Sequence, residues 1–168
     1  YRGESHDARR VEGELGTRWG SGEAEILHAG FVTPEGSVKS LLTTLEPAAI
    51  RVDYEAYQPL HDIVVGFRID TVHGQLVWGT STRLARKTIG LAHGTGTIEL
   101  NIDELPLLEG VYDLSVSITD NTEHHAYDHW ERRVRFEVRQ YATNDAGLFH
   151  IPVDWQFTAT TSGAGSAG

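Results

Sequence analysis

Four stretches of the chain alternate apolar with polar residues at period two: IRVDYEAY at 50–57, VGFRID at 65–70, YDLSVSIT at 112–119 and VRFEVR at 134–139. In an extended strand that period sends successive side chains to opposite faces, as half-buried antiparallel sheets require. Weaker strand-like runs lie at 24–32, 75–82, 96–102 and 147–153. Breakers stand between them: Pro34, Gly36, Pro47, Pro59, Gly74, Gly94, Pro106 and Gly110. About eight strands at this spacing predict an all-β fold, a two-sheet antiparallel sandwich of jelly-roll or immunoglobulin-like type. The only helical expectation is one short turn at 102–107. Tyr112 follows a turn and sits just inside a strand in LPLLEGVY, 105–112. A tyrosine placed there buries its ring and returns its hydroxyl to a nearby backbone group, as in the tyrosine corner of sandwich domains.

The ends lack this pattern. Residues 1–18 are polar, Gly-rich and aperiodic, which predicts a linker, and 158–168 are small and polar, which predicts a flexible tail. The folded domain is expected over 19–157. At 168 residues the chain suffices for one domain, and roughly 70% of the unfolded surface of such a chain can be buried. Charge narrows the partners. Fourteen Lys and Arg against 24 Asp and Glu give a net charge of -10, which argues against general nucleic-acid binding and a polybasic membrane anchor. Cysteine is absent, so no disulfide, thiol nucleophile or thiolate zinc site exists. No window approaches the about 18 apolar residues of a membrane helix. The chain starts without Met or a signal-peptide pattern, which suggests a piece of a longer protein.

The chemistry-bearing segments are few. There is no phosphate-binding loop, no nucleophile elbow and no His-Glu-x-x-His. The densest polar segment is DNTEHHAYDHW at 120–130, read as a loop after a strong strand. Its His124, His125, Asp128 and His129 are eligible metal donors, but adjacent strand residues face opposite ways. Asp120 and Asp128 are a possible acid–base pair of a glycosidase. Tyr127 and Trp130 can instead stack on a sugar while Asp, Asn and His bond its hydroxyls, or Trp130 can simply pack at the sandwich rim. In the run 76–83, Trp78, Thr80 and Thr82 fall on one strand face and Gly79 and Ser81 on the other. Trp78 reads equally as a stacking platform or as core. Arg68 and Asp70, and Asp113, Ser115 and Ser117, occupy the polar sides of their strands, and on a concave sheet they would line a groove of short hydroxyls and carboxylates. Arg132, Arg133, Arg135 and Arg139 form a cation cluster read as a solvated strand face.

Several landmarks together resemble one family. They are RWGSGEAEI at 18–26, WGTST at 78–82, LPLLEGVYDL at 105–114, then Asp120 and Tyr127-Asp128. Their order and spacing resemble the C-terminal carbohydrate-binding domain of the Wzt-type ATP-binding subunit of ABC transporters that export O-antigen polysaccharide. The resemblance spans about 18–155. It implies a jelly-roll sandwich that is not an enzyme, needs no cofactor and binds the non-reducing end of a lipid-linked polysaccharide, gating its export. It further implies a homodimer, with 147–155 exchanged between protomers. An ATPase domain would precede the chain, and a membrane subunit would be its partner at the cytoplasmic face of the bacterial inner membrane. Binding would fall on a concave sheet. The residues expected to carry it are Trp78 or Tyr127 for stacking, Arg68, Asp70, Thr80, Thr82, Asp113, Ser115 and Asp120 for hydroxyls or carboxylates, and Arg83 for an anionic cap. The rivals are a jelly-roll hydrolase or cupin-like metal enzyme, and a docking or dimerisation domain that ignores sugar.

Overall fold

The computed structural model describes residues 11–12 and 15–159. Among the described residues ten strands run in chain order: β1 Val11–Glu12, β2 Thr17–Trp19, β3 Ala24–Val32, β4 Leu41–Thr43, β5 Ala48–His61, β6 Val64–Thr71, β7 Leu76–Ser81, β8 Leu91–Ile102, β9 Gly110–Thr119 and β10 Ala126–Arg139. They form two sheets. The larger has the order β1-β2-β10-β9-β6-β7, with β4 added beside β10; the smaller is β3-β5-β8. All pairings are antiparallel except β4 with β10. The chain is an all-β, two-sheet sandwich, as the alternation predicts.

The alternation also places the core. On β9, Tyr112, Leu114, Val116 and Ile118 point between the sheets, and on β6 Val65, Phe67 and Ile69 do the same. From the small sheet, Ile26, Phe31, Ile50, Val52 and Tyr54 meet them. Phe31 and Phe136 close the gap between sheets with ring centres 4.6 Å apart. Gly96 pairs with Tyr54 across β8 and β5, and the Tyr54 ring lies over it. A Cβ there would fall 2.4 Å from that ring, so no larger residue fits. Buried Tyr112 donates its hydroxyl to the Leu108 carbonyl at 2.6 Å, giving the tyrosine corner its expected form. Burial pushes the phenol pKa up.

Four expectations are corrected. The 102–107 run is not helical; it makes an irregular connection anchored by Leu105 N–H to Glu46 O at 2.9 Å. The segment 120–130 is not one loop, because β10 begins at Ala126 and only 120–125 turns. The run 147–153 is not a strand. It makes one isolated bridge, Phe149 to Leu107, after which 151–159 is exposed and without regular structure. Finally, strand pairing reaches back into the stretch read as a linker, since β1 and β2 lie within 11–19. The rest of that linker, 1–10 and 13–14, and the tail residues 160–168 lie outside the described residues.

Candidate functional site

The outward face of the large sheet is built in cross-strand rows, because directly paired residues share a face. One row reads Ser81, Gly66, Ser117, His129, Trp19 across β7, β6, β9, β10 and β2. Its small members leave space and its aromatic members rise at one side. A second row carries Gly79, Arg68 and Ser115. Over these two rows lies an open trough of about 300 Å³. Its floor is Gly66, Ser81, Ser115 and Ser117; Arg68, His129 and Glu131 stand around it, and Leu84 and Glu123 border it from the loops. The Gly66 position is what keeps the floor low, since a Cβ there would sit 2.8 Å from Ser117 Oγ.

The third row explains why the floor is rigid. Asp70 and Asp113 are direct partners on β6 and β9, both almost fully buried. Two facing carboxylates repel unless cations intervene. Here three guanidiniums do so. Arg68 makes a forked contact with Asp70 at 2.9–3.1 Å. Arg135 donates to Asp113 Oδ1 at 2.9 Å and Oδ2 at 3.2 Å, and Arg132 donates to Asp113 Oδ2 at 2.9 Å. Arg132 has positive φ, 53°, in an irregularity of β10. From there it also donates to the Thr71 and Val72 carbonyls, while its backbone N–H donates to Ser115 Oγ at 2.8 Å. The hydrogen bonds to the carboxylates raise the pKa of Arg68 and of Arg135.

The wall at β10 is pinned as well. The Trp19 and His129 rings stack with centres 4.0 Å apart and 15° between planes. His129 Nε2 lies 2.7 Å from Glu131 Oε2. Beneath, on the inward side, Asp128 is buried and takes a forked contact from Arg18 at 2.7 and 3.0 Å. Its Oδ2 also accepts from the Ile26 backbone N–H at 2.7 Å, so it ties β2 and β10 to β3 of the small sheet.

The expected site residues therefore divide. Arg68 and Ser115 meet at the trough, and Thr80 lines it. Asp70 and Asp113 lie under it with their oxygens engaged by arginines. Trp78 and Thr80 pair with Ile69 and Phe67, so their side chains share the interior-facing side, and Trp78 packs on the core. Trp78 thus stands on the opposite face from Arg68. Thr82 Oγ1 accepts from Val65 N–H at 3.1 Å. Asp120 organises its turn: Oδ1 accepts from the Thr122 hydroxyl at 2.7 Å and from the Thr122 and His125 N–H groups. Burial opposes ionisation there, but these bonds outweigh it and lower the Asp120 pKa. Tyr127 is half-buried at a register shift, edge-on to His125 at 5.3 Å, and burial raises its pKa. Arg83 is exposed and meets Glu123 at 3.2 Å.

Ser117, read with Ser115 as a groove-lining hydroxyl, does line the trough, whereas sequence reasoning missed Gly66, Ser81 and Glu131 and did not join Trp19 to His129. The alternation around Gly66 and Ser117 carried the first signal, but strand neighbours were needed to align them. The acid–base pair proposed for Asp120 and Asp128 does not form: one caps a turn and the other is locked to Arg18. Among the described residues no three His, Asp or Glu side chains converge as a metal site requires.

Known proteins match this architecture. The crystal structure of the C-terminal domain of Wzt superposes with a TM-score of 0.76 at 19% identity, over 88% of this chain and 90% of that one. The alkylpurine DNA glycosylase AlkC of Pseudomonas fluorescens reaches only 0.43 at 19% identity, over 70% of this chain and 31% of that one, too low to carry an argument. No curated protein matches significantly. The sequence profile of the Wzt C-terminal domain matches residues 16–151, most of the chain. With that profile over most of its length, and the fold shared, the chain belongs to the Wzt C-terminal domain family.

Proposed function

We propose that this domain is a non-catalytic carbohydrate-binding module. It recognises the non-reducing terminus of a lipid-linked O-antigen-type polysaccharide and gates export through an ABC transporter. The observation that carries the reading is the trough over Gly66, Ser115 and Ser117. Short hydroxyls and an absent side chain leave room for a flat polar ring. Arg68, His129 and Glu131 supply donors and acceptors around it, and Trp19 backs the wall. An open groove of this kind exchanges hydrogen bonds with water for bonds with hydroxyls, so affinity per site is modest. Two linked sites then raise it by avidity.

A homodimer is part of the proposal. Ile151, Val153, Trp155 and Phe157 alternate with polar residues or Pro152, and all four are exposed. A period-two apolar run that no other described residue covers suits exchange onto a second copy. The full subunit would carry an ATPase domain in cis and meet a membrane partner at the cytoplasmic face of the inner membrane. Among the described residues no helix is long and apolar enough to cross a membrane.

Titration of the purified domain with the polysaccharide of the strain that encodes it tests the reading, using intact chains and chains trimmed at the non-reducing end. Binding of the intact polymer, lost on trimming, is expected. Equal responses to both would remove end recognition. Release of shortened or altered saccharide during the titration would restore the hydrolase. Light scattering of the domain with and without residues 151–157 tests the dimer, which should fall to monomer on truncation.

A further inference from the structure

Two hydroxyls of the trough floor are oriented by the chain itself. Ser115 Oγ accepts the Arg132 backbone N–H at 2.8 Å, and Ser81 Oγ accepts the Leu84 backbone N–H at 3.1 Å. Both serines are buried, and neither hydroxyl donates to a described residue. A serine hydroxyl has one proton to give, and a buried donor left without an acceptor is costly. Each of these hydroxyls therefore has its proton to offer to whatever fills the trough.

Arg68 adds donors beside them. It is the direct cross-strand partner of Ser115. All three of its bonds to Asp70 leave from Nε and Nη2, so both Nη1 protons remain without a described partner. The floor is thus rich in donors, and Asp70 already balances the arginine's charge. Acceptors stand at the rim instead. Glu131 engages His129 through Oε2 alone, and Glu123 engages Arg83 through Oε2 alone. Arg68 and Arg83 against Asp70, Glu123 and Glu131 leave one negative charge in excess (3 − 2 = 1). Leu84 borders the same space with 74% of its surface exposed, an apolar side chain beside polar ones.

Donors below, carboxylates at the rim and an apolar edge fit one neutral substituent. A carbonyl oxygen accepts two hydrogen bonds and brings no proton of its own, whereas a sugar hydroxyl brings one to a floor already supplied with them. An amide N–H suits the carboxylates, and a methyl group suits the exposed leucine. The charge balance disfavours a carboxylate or phosphate at this place.

We propose that the glycan lays an acetamido group in the trough, its carbonyl on Ser81, Ser115 and Arg68, its N–H on Glu131 and its methyl against Leu84. This rests on the trough being the glycan site and assigns an N-acetylated amino sugar to it. An O-acetyl ester shares the carbonyl and the methyl but lacks the N–H.

The test titrates the whole chain with the polysaccharide of the encoding strain in four forms: native, treated with mild alkali to remove esters, N-deacetylated, and N-deacetylated then N-acetylated again. Mild alkali is expected to leave affinity unchanged. N-deacetylation should weaken it about tenfold, and N-acetylation should restore it. A loss on mild alkali overturns the acetamido assignment in favour of an ester. Arg68→Lys keeps a cation but removes Nη1, and should lose about tenfold on the native polymer and nothing on the N-deacetylated one. If that variant does not fold, Leu84→Ser, at an exposed position, should still lose about threefold on the native polymer alone. Variants that keep wild-type affinity overturn the placement. A polymer that binds equally before and after N-deacetylation, or that contains no acetamido sugar, overturns the inference and leaves the trough as the glycan site. A polymer that binds the wild-type chain in none of the four forms overturns the glycan reading and this inference with it.

Discussion

The imidazole of His129 lies flat against the indole of Trp19, 4.0 Å between centres, because β2 and β10 pair these two residues directly on the outward face. Glu131 holds the far side of the imidazole at 2.7 Å. The trough therefore has one preorganised wall before any ligand arrives. Trp19→Ala removes its backing. Glycan affinity is expected to fall about fivefold, in keeping with roughly 1 kcal/mol for an aromatic pair. Calorimetric titration reads it, and an unchanged affinity would move the ligand away from this wall.

The floor is tested at Gly66. Its missing side chain faces Ser117, and the residue's own carbonyl and amide remain in the ladder to β7 and β9. Gly66→Val would fill the trough from below. Glycan binding should be abolished, while overpacking costs about 1–3 kcal/mol and leaves a folded sandwich. Circular dichroism with a binding titration separates the two effects; full affinity in the variant would exclude the floor as the contact surface.

Asp128 joins three strands and both sheets through Arg18 and the Ile26 amide. Asp128→Ala leaves a buried N–H and a half-buried guanidinium without their acceptor. Urea denaturation should show a loss of about 3 kcal/mol, toward the lower end of what breaking a buried ion pair costs because Arg18 is 29% exposed. Asp128→Asn, which can still accept from Ile26, should recover part of it. A loss within the scatter of surface substitutions would mean that water replaces the carboxylate.

Acid should open the 120–125 turn first. The Asp120 pKa is lowered in the folded chain from an ordinary 3.8, by the Thr122 and His125 bonds acting against burial. A lowered folded pKa means the carboxylate stabilises the turn fully above its unfolded value, and that this contribution disappears as pH falls through the folded one. Protection of the Thr122 and His125 amides, taken relative to the intrinsic exchange rate at each pH, should be constant from neutral pH to about 4 and fall below it. In Asp120→Asn that acid loss of protection should be absent.

The sandwich and its core were legible because burial on one face of a strand forces a period of two, and the chain keeps that period through β5, β6, β9 and β10. Tyr112 was legible for the same reason: a turn followed by a strand leaves its ring only the interior and its hydroxyl only a nearby carbonyl. The segment 147–153 was misread because its apolar spacing is strand-like, whereas a strand also needs a neighbour, and among the described residues it finds one only at Leu107. Asp128 and Asp120, two nearby carboxylates in sequence, have unrelated jobs because β10 begins between them.

Local alternation, then, determined which residues face inward, since that depends only on the geometry of an extended backbone and the cost of exposing apolar surface. What the tertiary structure decided was lateral order and register. Only pairing across five strands could align Ser81, Gly66, Ser117, His129 and Trp19 in one row and set Trp78 on the other face. Those alignments join residues up to about a hundred positions apart, and no period along a single strand encodes them.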